Sequence, residues 1–296
     1  MNISDTEKLS ELELLNFFLN LLKENAHVGV INILCLNNYT LFSIEKNVRT
    51  EQGTIKFDIC FKKDNAAFYG LELKGGRFDN DISQIEKYNN FERTQYLRNE
   101  TLSHINQNNF SVHIIFNIQL NNTIDNYMEN LIYSGFTFRN NKIIFECETE
   151  LFKLINEAME TTDIENIQRI IHFDKETEDK DIANEICSEV DALLMNQCSF
   201  TIDEIVSRAY CSIPDMATVI GADVRSFGNK KVKKMLDLMG RVGYTKLMKW
   251  ENRQWHPLKT IKLNDVKIAR RNYLEYINNP FSNPENNQMS IDEFIE

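Results

Sequence analysis

Asp58, Glu72 and Lys74 are the side chains of this sequence whose types and spacing could do chemistry. Glu72-Leu73-Lys74 ends the apolar run Phe68-Tyr69-Gly70-Leu71, and Asp58 precedes Ile59-Cys60-Phe61. Both runs carry β-favouring residues, bounded by Lys/Asp/Asn on one side and Gly75-Gly76 on the other, so each reads as a short strand. A strand turns successive side chains to opposite faces. Glu72 and Lys74 therefore emerge together, while Leu71 and Leu73 face apolar packing. Two carboxylates and an ammonium on one sheet face are costly unless a divalent cation or a partner neutralises them. Ionised carboxylates are hard oxygen ligands suited to Mg²⁺ or Mn²⁺, with water completing the shell.

The elements that must position these residues follow from the pattern around them. The spacing predicts a helix over 1–25, with Ser4-x-x-Glu7 as its capping box and Glu13, Asn16, Asn20 and Lys23 as an exposed polar stripe. One or two strands follow within 28–49, Tyr39 to Ile44 the clearer, then the strands near 54–62 and 66–74. A helix is expected over 79–99, with Asp79, Asp81 and Ser83 as candidate caps, and a buried strand over 112–118. Further on come a helix near 123–133, a hairpin turning at Asn140-Asn141, and a helix near 149–159.

With those elements in place, residues 10 to 120 resemble the PD-(D/E)XK nuclease superfamily. Asp58 matches the family's Asp, Glu72 and Lys74 its Glu-x-Lys, and Gln84-Ile85-Glu86-Lys87-Tyr88 the Q-x-x-x-Y element of the RecB-like branch. Gln84 and Tyr88 lie one helical turn apart. Phe57 stands where the motif has Pro. The resemblance implies a restriction-endonuclease-like αβββαβ core, a mixed sheet flanked by helices, that hydrolyses phosphodiester bonds in DNA. It implies Mg²⁺ (or Mn²⁺) held by Asp58, Glu72 and the Leu73 carbonyl, Lys74 orienting the attacking water, and Gln84 and Tyr88 supporting the site or the nucleic-acid backbone. Family members often add an acid from the first helix, for which Glu13 is a candidate, or a His near the position of His27; a surface stripe and a turn are the plainer readings of these two residues.

The net charge of −11 runs against phosphate binding, but its distribution matters more than its sum. Between 146 and 191 there are fifteen Asp/Glu against four Lys/Arg, and between 201 and 275 fifteen Lys/Arg against eight Asp/Glu. Residues 1–160 are thus expected as the nuclease-like domain, 161–182 as an acidic linker, 183–275 as a second domain and 276–296 as a flexible tail. In the second domain, helices fit 182–196, 201–210, 215–221 and a basic helix capped by Asn229 and stopped by Gly240. Two short strands, 244–250 and 253–256, follow. Helix, helix, basic helix and hairpin is the layout of a winged helix-turn-helix, with Lys230, Lys231, Lys233, Lys234 and Arg253 as the DNA-binding residues. A solvated basic helix is the alternative reading, and Trp250 and Trp255 read as packing rather than stacking platforms.

Six scattered cysteines without a C-x-x-C pair indicate buried thiols in a reducing compartment, hence a cytoplasmic protein with neither zinc nor disulfides. Leu12–Leu22 is too short and too interrupted to span a membrane. No phosphate-binding P-loop is present, so ATP dependence is not expected. The leading expectation is a metal-dependent deoxyribonuclease. The alternative is a non-catalytic DNA-binding adaptor of a phage or mobile-element complex, meeting a protein partner through its acidic segment. Oligomeric state is left open.

Overall fold

A computed structural model describes residues 9–24, 32–75, 82–118, 132–147, 149–213 and 216–279, except the side chains of 82–85, 132–133 and 216–217. It divides into two compact units, residues 1–170 with 214–225, and residues 171–213 with 226–296.

In the first unit the chain runs α1 (Glu11–Leu22), α2 (Ile33–Leu36), β1 (Tyr39–Ile44), β2 (Val48–Thr50), β3 (Gly53–Ile55), β4 (Ile59–Lys63), β5 (Ala67–Lys74), α3 (Ile82–Asn90), α4 (Arg93–Asn99), β6 (Phe110–Asn117), β7 (Ile132–Arg139), β8 (Lys142–Phe145) and α5 (Glu150–Met159). Six strands form one mixed sheet in the order β1-β4-β5-β6-β7-β8. Its β5-β6 and β6-β7 pairs are parallel and the others antiparallel. The α/β class read from the sequence is the class observed. Asn140 and Asn141 both take positive φ, at 50° and 59°, and close the β7-β8 hairpin as a primed turn.

The two faces of β5 differ as the alternation predicts. On one, Phe68 packs with Val112, Ile114, Tyr88, Phe91, Tyr96 and Leu97, so α3 and α4 cover it. On the other, Tyr69 stacks on His113, whose ring meets Phe152 of α5 edge-on at 5.2 Å. Several expected boundaries moved. The strand expected over 54–62 is broken: β2-β3 is a separate hairpin, and Asp58 sits in the bend before β4. The helix expected over 79–99 breaks at Phe91-Glu92, and the stretch before β1 holds the short helix α2 instead of a strand. The helix expected near 123–133 gives way to β7 at 132; residues 119–131 lie outside the described residues.

The capping box of α1 is Ser10 with Glu13; the expected box of Ser4 with Glu7 lies outside the described residues. Of the expected exposed stripe on α1, Glu13 is exposed and Lys23 half-buried, but Asn16 and Asn20 are covered. Asn16 Oδ1 accepts from the Ile170 N–H at 2.8 Å, and Asn20 exchanges bonds with the Gln168 backbone, donating at 2.7 Å and accepting at 3.2 Å. Both asparagines are buried. Within 161–182, expected as an acidic linker, Thr162, Ile170, Ile171 and Phe173 are buried, and the two units divide between Ile170 and Ile171. A charge-rich composition was outweighed by a few well-spaced apolar side chains.

The short helix α8 (Met216–Val219) belongs to the first unit. The second unit contains α6 (Asp179–Met195), α7 (Ile202–Ile205) continued by a wider turn over 206–210, α9 (Ala222–Arg241) from Ser226 onward, β9 (Met248–Glu251), β10 (Gln254–Pro257) and α10 (Leu263–Asn278). Asn229 lies inside α9, so it does not cap the basic run. Gly240 does not end it either: a Cβ there would meet the Trp255 ring at 2.4 Å, so this glycine admits the indole. The turn comes at Gly243, whose φ of +79° suits glycine. Asn252 and Arg253, at φ 51° and 65°, form the tight turn of the β9-β10 hairpin. Phe200 bridges Trp255 as a one-residue third strand. Helix α10 was missed, although Val266, Ala269 and Tyr273 repeat at helical spacing and are the residues it buries. It carries residues 276–278, expected as the start of a flexible tail; 280–296 lie outside the described residues.

Candidate functional site

At the carboxyl end of β5 the sheet frays where β4 has turned away at Asp58. The Leu73 N–H, lacking a strand partner on that side, donates to Asp58 Oδ2 at 2.6 Å. N–H and C=O of one strand residue point to the same side, so the Leu73 carbonyl faces the same gap. Glu72 is buried, with Tyr88 Oη donating to its Oε2 at 2.5 Å and Lys74 Nζ 2.7 Å from its Oε1. Asp58, Glu72, Leu73, Lys74 and Tyr88 are therefore brought together, and Leu71 and Leu73 point their side chains into the core. Gln84 lies on α3 one turn before Tyr88, but its side chain is outside the described residues, as is His27.

Sequence reasoning missed the parts that hold this arrangement. Phe57 stacks on Tyr88 with ring centroids 5.1 Å apart and planes at 18°, and a Cβ on Gly70 would meet the Phe57 ring at 2.9 Å. The aromatic residue in the place of the motif's Pro thus fixes the tyrosine that grips Glu72, and glycine at 70 gives it room. Tyr88 Oη also lies 2.8 Å from the Lys56 carbonyl oxygen, which shares the one hydroxyl proton with Glu72. Lys56 Nζ lies 2.7 Å from Glu45 Oε2. A Cβ on Gly75 would meet the Leu9 carbonyl at 2.1 Å, so β5 passes close to the start of α1. That approach puts Glu11 Oε1 3.9 Å from Lys74 Nζ. The first-helix acid near the site is Glu11; Glu13 is spent on the cap, accepting from Ser10 N at 2.7 Å. The contact of Phe57 with Gly70 is tertiary, since Phe57 precedes β4 and Gly70 pairs with Cys60, and the sequence alone does not display it.

Electrostatics bind the cluster. Burial and then the neighbouring Glu72 charge push the Asp58 carboxyl well above the usual carboxylate range, against the Leu73 N–H and Lys74. Burial works against the Lys74 ammonium, but the Glu72, Glu11 and Asp58 charges outweigh it and raise its pKa. Lys56 is raised the same way, burial being overcome chiefly by Glu45 and then by Asp58 and Glu72. Among the described residues no three His, Cys, Asp or Glu side chains cluster as a metal cage. Two carboxylates and a strand carbonyl instead match an ion that keeps most of its water, as Mg²⁺ does.

On α9, at 100° per residue, Lys230, Lys233 and Lys234 fall within about a third of the helix circumference, with Arg241 among them. All four are exposed. Lys231 is turned away and lies 2.5 Å from Asp179 Oδ1 of α6. It does not share the basic face with the other lysines. Arg253 is exposed at the hairpin tip. Trp255 is buried, whereas Trp250 is 46% exposed. A buried network ties the unit together beneath: Tyr244 donates to Asp191 at 2.7 Å, and Arg270 lies 3.6 Å from the same carboxylate. All six cysteines are free. Among the described residues no helix is long and apolar enough to cross a membrane.

No family model, curated protein or solved structure matches this chain.

Proposed function

We propose that the first unit is a divalent-metal-dependent nuclease acting on phosphodiester bonds, and that the second is a winged-helix-like module that positions DNA. The observation that carries the reading is the meeting of Asp58, Glu72 and Lys74 at one frayed strand end, with Asp58 pushed toward protonation first by burial and then by Glu72. The order α1, then β1, β4 and β5, then α3-α4 and β6 supports a restriction-endonuclease-like core. The one-residue strand at Phe200, the exposed α9 lysines and the β9-β10 hairpin support the winged helix.

In this reading Asp58, Glu72 and the Leu73 carbonyl hold Mg²⁺ or Mn²⁺. The ion supplies Lewis-acid polarisation of a phosphoryl oxygen and a water of lowered pKa. Lys74 orients the attacking water and offsets charge on the phosphoryl group. Tyr88 holds Glu72 in one rotamer, and Phe57 holds Tyr88. Lys230, Lys233, Lys234 and Arg253 take backbone phosphates; lysine is a point charge, so it positions rather than reads sequence.

The test is incubation of purified protein with circular and linear, single- and double-stranded DNA, with and without Mg²⁺ or Mn²⁺. Cation-dependent cutting that Lys74→Ala and Asp58→Asn both lack is the expected result. A second reading, a DNA-binding adaptor, is favoured by one feature: both Glu72 oxygens already have protein partners. Retarded migration of DNA without cutting, under any cation, would select it.

A further inference from the structure

At the opposite end of the same strands lies a cavity of about 490 Å³, bordered by Arg93, Phe91, Phe110, Gln52, Gln107 and Glu92. Phe110 begins β6 and pairs with Phe68, whereas Glu72 pairs with Ile114 and Lys74 with Phe116. At 3.3 Å per residue, the cavity is roughly 13–20 Å from the acidic cluster along the strand. We propose that this cavity binds the phosphate of a nucleotide, through Arg93 and the amide groups of Gln52 and Gln107.

The donors are arranged for an oxyanion. Arg93 is half-buried and has no carboxylate partner among the described residues; its guanidinium lies over the Phe91 ring, 5.3 Å from the centroid. Stacking by the face leaves the N–H edges of the fork, which lie in its plane, to meet a phosphate or carboxylate side-on. Burial lowers its pKa, as expected for a cation held without a counter-charge. The Glu92 backbone N–H, which can only donate, bonds Gln52 Oε1 at 3.1 Å. Thr94 Oγ1 donates to Gln107 Oε1. With both amide oxygens held by the protein, the ends left over are Nε2 groups, which donate. Three side chains around one cavity thus offer N–H groups. Glu92, the one carboxylate on the rim, is exposed and screened by water. The volume exceeds that of a bare phosphate and suits a group of mononucleotide size, and side-chain amides pair readily with heteroaromatic edges.

The probes are thymidine 5′-monophosphate, thymidine, inorganic phosphate and an oligothymidylate without terminal phosphates. Side-chain amide and Arg Nε resonances are followed by NMR in the full chain. The monophosphate is expected to shift the Gln52, Gln107 and Arg93 signals and to bind at least tenfold tighter than thymidine. Arg93→Gln should weaken it by roughly tenfold or more, and Gln52→Ala by less. If Arg93→Gln lowers the melting temperature strongly, Arg93→Lys, which keeps the charge and loses the fork, takes its place. An equal response to the oligothymidylate identifies a strand as the natural source, and a response confined to the monophosphate a free nucleotide. Lys74→Ala should bind the probes as the parent does, so loss of cutting and loss of this site are separate outcomes. Absence of any shift with millimolar monophosphate, or unchanged binding by folded Arg93→Gln, overturns the proposal.

Discussion

The end of β5 and the outer face of α9 both concentrate charge, and they are built on opposite terms. At β5 each ionic group is fixed by a named neighbour: Glu72 by Tyr88 and Lys74, and Asp58 by the Leu73 N–H. On α9, Lys230, Lys233 and Lys234 are exposed and form no ion pair among the described residues, with Asp237 on the same face, while Lys231 is paired with Asp179. Burial forces partners on the first set, because an unpaired buried charge costs several kcal/mol. Exposure imposes nothing on the second, where an ion pair is worth about 0–1 kcal/mol. Single changes should therefore act all-or-none at β5 and by increments on α9.

The largest expected effect is on cutting. Lys74→Ala or Asp58→Asn should reduce cation-dependent cleavage by about a thousandfold, measured on linear duplex DNA at saturating Mg²⁺. No single α9 lysine variant should approach that loss. Comparable losses at Lys234 and Lys74 would erase the contrast.

Next comes Tyr88→Phe, which keeps the ring against Phe57 and removes the hydroxyl proton shared by Glu72 and the Lys56 carbonyl. Chemical denaturation should show a stability loss of about 1–3 kcal/mol. An unchanged midpoint would mean that Tyr88 does not hold Glu72 in solution.

The Asp58 pKa gives a pH signature with a definite sign. It is raised in the folded state, so the folded chain binds more protons than the unfolded one above the ordinary Asp value near 3.8. Asp58 thus lowers stability as pH rises from about 4, by its full amount once pH passes the folded-state pKa. Without a divalent cation, Asp58→Asn should melt higher than the parent at pH 8, and the gain should vanish below about pH 4. Added Mn²⁺ should raise the melting temperature of the parent and not of the variant. His113 has the opposite sign: burial lowers its pKa to about 4 from the ordinary 6.5. Its neutral form contributes stability that is lost as pH falls from 6.5 toward 4.

The smallest effects concern α9. If Lys230, Lys233, Lys234 and Arg253 each neutralise one phosphate, log K for duplex DNA should fall with log[salt] at a slope near −3.6, and each removal should flatten it by about 0.9. Lys231→Ala should leave the slope alone, because its charge is already answered by Asp179. A slope that changes equally for all four lysines would place Lys231 on the binding face.

The residues also differ in how visible they were before folding. Glu72 and Lys74 could be put on one face because strand alternation is local, and the Asn140-Asn141 hairpin because its turn is local too. Helix α10 follows the same local logic, with Val266, Ala269 and Tyr273 at helical spacing. Phe57 over Gly70, and Asn16 with Asn20 against 168–170, were not legible, because each pairs residues distant in sequence. Asn16 and Asn20 have the polarity of a solvent face, and only the strip of backbone laid across them turns that polarity inward.

The chain alone determined the α/β class, the shared face of Glu72 and Lys74, and the segregation of acidic from basic segments, since each follows from side-chain period or composition. The bend that frees the Leu73 N–H for Asp58, the choice of Glu11 over Glu13, and the turning of Lys231 toward Asp179 were decided by tertiary structure. Each is a competition between possible partners, and which one wins depends on distances that exist only after the sheet and helices have packed.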